Sequence, residues 1–174
     1  MRDKRATKEK ETGDAIQATD AVLPIALRES TSWKKIRADW ETLRSLGLTW
    51  AVPENIKAHT VLIDQMLQFM VETADATEMT LDPSMDTFYM MDTVVVKMPA
   101  MMERLGQTRA RGTGVLAKKE ISPQMKIDMA STLAEMANNL RAQNINLEKV
   151  IRFAPTVSGA LSGPGKEFSD NVGK

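Results

Sequence analysis

The stretch 53-PENIKAHTVLIDQMLQFMVETAD-75 decides the fold class. At roughly 100° per residue, Ile56, His59, Ile63, Met66, Leu67, Met70 and Ala74 gather on one side, while Lys57, Asp64, Gln68, Glu72 and Asp75 gather on the other. Pro53 suits the first position of a helix, because the missing N–H belongs to a turn that would leave it without a partner anyway. This reads as an amphipathic helix from Pro53 to about Asp75 whose one polar intruder on the apolar face is His59.

Working outward from it, a helix from about Arg5 to Glu29 is expected, bent or interrupted at Pro24, which cannot donate to the turn behind it. Ser30-Thr31-Ser32 offers a cap for a shorter helix carrying Trp33, Ile36, Trp40 and Leu43 at helical spacing and ending at Gly47. Thr77 to Asp82 reads as a loop. Asp82 and Pro83 then read as the cap and first position of a fourth helix. Its polar positions Asp86, Thr93, Lys97 and Arg104 form a thin stripe, which predicts burial over most of its circumference. Pro99 predicts a kink and a carbonyl left without its donor at Val95. Gly112 and Gly114 loosen the chain, and Ser122-Pro123 opens a fifth helix with Met125, Met129, Leu133, Met136 and Leu140 as its buried stripe, broken at Pro155. No segment alternates polar and apolar residues long enough for a strand. The expected fold is all-α: an antiparallel four-helix bundle with an additional short helix over residues 1–155, followed by a flexible or partly helical segment over 156–174.

Composition excludes several functions. Lys plus Arg and Asp plus Glu are 23 each, so the net charge is zero and the basic excess of a nucleic-acid binder is missing. With no cysteine there are no disulfides, thiolate metal sites or cysteine nucleophiles. One histidine cannot supply the paired Glu-x-x-His ligands of a di-iron bundle, and Gly112-Thr113-Gly114 is too short for a phosphate loop. No serine sits in a glycine elbow. No catalytic residue, metal site or cofactor is therefore expected. The apolar run Tyr89 to Met102 is interrupted by Asp92, Thr93 and Lys97, so it does not read as a membrane span. Met1-Arg2-Asp3-Lys4-Arg5 runs into further charge instead of an apolar signal core, and the chain reads as a domain excised from a longer protein.

Polar groups among apolar neighbours are the remaining candidates. His59 reads either as a core histidine bonded to a neighbouring helix or as a ligand contact. Asp92, among Phe88, Val95, Val96 and Pro99, must be paired if buried, with Arg109, His59 or a backbone donor, or else it holds a polar ligand. Tyr89 reads as a core aromatic with its hydroxyl satisfied. The methionines, 13 in all, fill a core or serve an adaptable interface.

Two stretches resemble a known family. His59-Thr60-Val61-Leu62-Ile63-Asp64 and Met79-Thr80-Leu81-Asp82-Pro83-Ser84-Met85-Asp86-Thr87-Phe88-Tyr89-Met90-Met91-Asp92 are similar to the helical sensor domains of bacterial methyl-accepting chemotaxis proteins, sensor histidine kinases and diguanylate cyclases. Pro99 and Arg109-Ala110-Arg111-Gly112 fit the downstream pattern of that family, and Trp33 to Leu43 its tryptophan-containing segment. The chain departs from it where a Q-x-H/E-R-G motif would end the first helix: Leu23 to Ser30 offers only Arg28-Glu29. Ser84 and Phe88 replace an acidic residue and a tyrosine. The resemblance implies a four-helix bundle on the extracytoplasmic, periplasmic face of the inner membrane, tethered through segments outside this chain and working as a homodimer. It also implies a small-molecule ligand held near His59, Tyr89, Asp92 and Arg109, in a pocket between the third and fourth helices. A structural or protein-interaction bundle is the alternative.

Overall fold

A computed structural model describes residues 2–161 and 163, and among them every regular element is helical. The described residues form α1 (Arg2–Val22), α2 (Ile25–Arg28), α3 (Thr31–Leu46), α4 (Val52–Ala76), α5 (Met85–Met91), α6 (Met98–Lys118) and α7 (Pro123–Phe153). A π-helical segment, Asp92–Lys97, joins α5 to α6. The all-α expectation holds. The chain divides into two compact units, residues 1–76 and 77–174, each described by itself. Of the expected flexible segment 156–174, residues 162 and 164–174 lie outside the described residues.

In the first unit Pro24 stops α1 and restarts the chain as α2, as the missing N–H demands. Ser30 caps α3: its hydroxyl accepts from the Trp33 N–H at 3.1 Å. The short link after Gly47 folds α4 back antiparallel to α3. Buried Trp33, Ile36, Trp40 and Leu43 meet buried Leu62 and Phe69, with Leu23 and Leu27 closing one end. Trp33 and Phe69 stack with centroids 5.1 Å apart. Each such side chain withdrawn from water contributes about 1.5–3 kcal/mol, so this apolar seam dominates the cohesion of the unit.

The buried face of α4 is rotated from the one the periodicity suggested, with Ile63, Met66 and Leu67 of the expected face only half-buried. Leu62, Phe69 and Ala74 are buried, whereas Ile56, His59 and Met70 are exposed. The apolar sector of this helix is wide, and Phe69 turns toward its stacking partner Trp33. That rotates the helix and carries His59 out of the core.

In the second unit the expected fourth helix starts two residues later, at Met85. Asp82 does not cap it; its carboxylate accepts from the Ser84 N–H at 2.8 Å in a tight local turn, and Met85 is the first helical residue. The Thr87 hydroxyl and that N–H hold the Asp82 carboxyl below its usual range. Gly112 and Gly114 do not interrupt the helix, which runs on to Lys118 and ends at Lys119 in the left-handed conformation (φ 55°). Ser122 caps α7 by accepting from Met125 N–H at 3.1 Å, as expected. Pro155 breaks it, also as expected.

α7 lies antiparallel to the α5–α6 rod. Its inward positions step by alternating four and three residues through Met125, Met129, Thr132, Met136, Asn139, Gln143, Asn146 and Val150, the spacing of a two-helix seam. Thr132, not Leu133, occupies the buried position, and Leu133 is exposed. On the facing rod the inward positions Tyr89, Thr93, Lys97 and Met101 step by four each time, one residue more than a four–three–four alternation allows. The π segment absorbs that additional residue. It begins seven residues before Pro99, so the strain expected of the proline shows as a local widening of the helix. The rod is also less enclosed than expected: Val94, Val96, Met98 and Met102 are exposed.

Candidate functional site

Two places carry the chemistry, one in each unit. In the second, Asp92 opens the π segment and its Oδ2 accepts from the ammonium of Lys97. In an α-helix, residues five apart point roughly 140° away from each other. In a π turn, where the backbone bonds span five residues, they come nearly into line. The widening therefore makes the Asp92–Lys97 pair possible. Asn146 Nδ2 donates to the same Asp92 oxygen at 2.7 Å and stands 3.2 Å from the Thr93 hydroxyl. One turn along, Gln143 Nε2 donates to Asn139 Oδ1 at 2.9 Å and lies 3.2 Å from Met101 Sδ and 3.4 Å from the Lys97 carbonyl. Toward the other end Lys149 Nζ donates to the Tyr89 hydroxyl at 3.0 Å and sits 4.2 Å from the centre of its ring. Thr93, Gln143 and Asn146 are buried, and each is satisfied by these bonds.

The partners expected for Asp92 were Arg109, His59 or a backbone donor; the structure gives Lys97 and Asn146 instead. Thr93 and Lys97, expected on a water-facing stripe, point into the seam with α7. Tyr89 has its hydroxyl satisfied, as expected of a packed aromatic. Arg109 is exposed on α6, and its carbonyl accepts from the Thr113 hydroxyl at 2.8 Å. Tyr89, Asp92 and Arg109 belong to the second unit and His59 to the first. Sequence reading missed Asn146, Gln143 and Lys149. The four–three spacing of Thr132, Asn139, Gln143 and Asn146 along α7 is the signal that would have found them.

The second place is an open cleft of about 560 Å³ in the first unit. Trp40, Leu43 and Leu62 form its buried floor, with half-buried Ile63 and Met66 beside them. Lys8, Arg44, Leu48 and His59 stand exposed around it. His59 Nδ1 donates to the Asn55 carbonyl at 2.9 Å, which fixes the ring against its own helix. Asn55 in turn donates to the Gly47 carbonyl and ties the start of α4 to the end of α3. A Cβ at Gly47 would lie 3.1 Å from that amide nitrogen, so the close approach is where the small residue is used. On the same unit Asp20 accepts from the Trp33 indole at 2.7 Å and from Arg37 at 3.0 Å. The Trp33 bond, helped by the neighbouring guanidinium charges, holds the Asp20 carboxyl below its ordinary value.

Among the described residues no group of three or more His, Asp or Glu side chains is placed to hold a metal ion. No described helix is long and apolar enough to cross a membrane. No family model matches the chain, and no curated protein or solved structure matches it either.

Proposed function

We propose that the chain is the extracytoplasmic ligand-sensing domain of a bacterial transmembrane signalling receptor, of the chemotaxis or two-component kind, with no catalysis of its own. The observation that carries this reading is the polar seam around Asp92. The motif by which the sequence resembles helical sensor domains ends at the residue that opens the π segment. There it meets Asn146 across two long antiparallel helices. A seam of hydrogen-bonding side chains can exchange partners as the helices shift by a fraction of a turn, whereas an interlocked apolar seam resists such movement. Under this reading a small molecule bound by the domain biases the displacement of one helix against another, and the displacement is the output. The reading makes each domain a four-helix bundle working as a homodimer outside the cytoplasm, with membrane spans in segments outside this chain.

Sequencing outward from the coding region tests it: apolar segments of about 20 residues are expected on both sides of this stretch of the receptor. Their absence on both sides overturns the receptor reading.

A second reading, a protein-interaction bundle, is favoured by one observation. Val94, Met98 and Met102, four residues apart on one rod, are exposed and suit the apolar face of a partner helix. A stable complex that Met98→Glu abolishes, together with no small ligand found by thermal shift, would favour it.

A further inference from the structure

The cleft of the first unit does not contain Asp92 or its partners, and its lining differs in kind from the seam. Its floor is apolar, and its charged lining carries two cations, Lys8 and Arg44, against one carboxylate, Glu9. The volume falls within the range of small-molecule sites, about 300–1,000 Å³, which are mostly apolar with a few polar groups that fix orientation. The cations can be recruited at little expense. Arg44 bridges Glu41 at 2.7 Å and Lys8 bridges Glu11 at 2.6 Å, but more than half of each side chain in these pairs is exposed. Pairs of this type are worth roughly 0–1 kcal/mol, so a bound anion can take either cation. His59 has its Nδ1 proton committed to the Asn55 carbonyl, so Nε2 of the neutral ring is left as an acceptor for a ligand donor and does not serve the anionic group.

From this lining we propose that the cleft between α1, α3 and α4 binds a small amphiphilic anion. Its apolar body lies over Trp40, Leu43 and Leu62, and its carboxylate or similar group is met by Arg44 and Lys8. Two features make this ligand class fit better than its alternatives. A purely apolar molecule would leave the basic side chains unused, and a cation would face two groups of its own sign, Arg44 and Lys8. A small polar anion would gain nothing from a floor made of indole and leucine. The idea of a signal rests on the sensing function proposed above, whereas the binding itself rests only on the cleft.

The test is isothermal titration of the full chain with decanoate below its micellar concentration, with decyltrimethylammonium and decanol as parallel arms. Saturable one-site decanoate binding is expected, about tenfold or more tighter than that of the cation. Arg44→Gln is expected to weaken decanoate by about tenfold and leave decanol unchanged. Leu48→Asp, a substitution at an exposed position that the fold does not depend on, should weaken both. Arg141→Gln, an exposed position of the second unit, should weaken neither. Absence of saturable decanoate binding, equal affinity for the cation, or parent-like binding by both Arg44→Gln and Leu48→Asp overturns the proposal. The two readings fail separately. Failure of decanoate in a gene with flanking membrane spans removes the cleft and leaves the sensor, and binding without such spans does the reverse.

Discussion

In the first unit the seam between α3 and α4 is filled by Trp33, Ile36, Trp40 and Leu43 against Leu62 and Phe69. At comparable depth in the second unit, α7 presents Thr132, Gln143 and Asn146 beside Met136 and Val150, and the rod opposite presents Thr93 beside Met101. Both are antiparallel helix pairs with inward positions three and four residues apart. They differ in what the seam is made of, and that difference separates cohesion from specificity. Apolar burial is worth more free energy per side chain, while a hydrogen bond nets only about 0.5–1.5 kcal/mol because water offered the same bond before folding. A hydrogen-bonded seam, on the other hand, is satisfied in few registers, and leaving any of its groups buried without a partner costs about 1–3 kcal/mol. The first unit is thus held chiefly by apolar burial, and the second by a register that its buried polar groups define.

The contrast can be broken most severely at Trp33. Trp33→Ala removes the stack on Phe69, the bond to Asp20 and the centre of the apolar seam, with an expected loss of about 3–5 kcal/mol by chemical denaturation. The corresponding change in the second unit, Asn146→Ala, strips Asp92 and Thr93 of a shared donor. It is expected to destabilise by about 1–3 kcal/mol. If the second loss matched or exceeded the first, the ranking of the two seams would be reversed.

Smaller effects sharpen the comparison. Ser122→Ala removes the cap of α7 and should lower stability by about 1 kcal/mol. Lys119→Gly should raise it by up to about 1 kcal/mol, because glycine occupies the left-handed conformation at the end of α6 without strain. The smallest effect concerns acid. Asp20 and Asp39 both have folded-state values held down, Asp20 first by the Trp33 indole and Asp39 first by Lys35. A depressed carboxyl contributes stability that is complete above its unfolded value, near 4, and is lost as pH falls through the lower folded value. Asp20→Asn should therefore flatten the loss of melting temperature as pH falls below about 4. An unchanged acid slope would show that the Asp20–Trp33 bond is not coupled to folding.

Much of the architecture was legible because it rests on local chemistry. Pro24, Ser30, Gly47, Ser122 and Pro155 act on the backbone within a turn of themselves, and each marks a boundary where the sequence puts it. What escaped reading depends on partners far along the chain. The side of α4 that faces inward is chosen by Trp33, more than thirty residues away, so His59 moved from the apolar face to the edge of a cleft. The π segment is invisible to a search at 3.6 residues per turn, since one inserted residue merely blurs the pattern. With it went the partner of Asp92: Lys97 lies on the wrong side of an ideal α-helix and on the right side of a widened one. Asp92 itself was legible as a carboxylate that needs a partner. Asn146 was not, because a hunt for apolar stripes passes over a polar seam.

Native-state hydrogen exchange on the full chain tests the difference between the seams most directly, since both are read in one experiment. Amides of the π segment, Thr93 to Lys97, and of the facing turn of α7, Gln143 to Asn146, are expected to open at lower free energy than those of α3 from Ile36 to Leu43. Equal protection, or slower exchange in the second unit than in α3, would contradict the account of a movable polar seam.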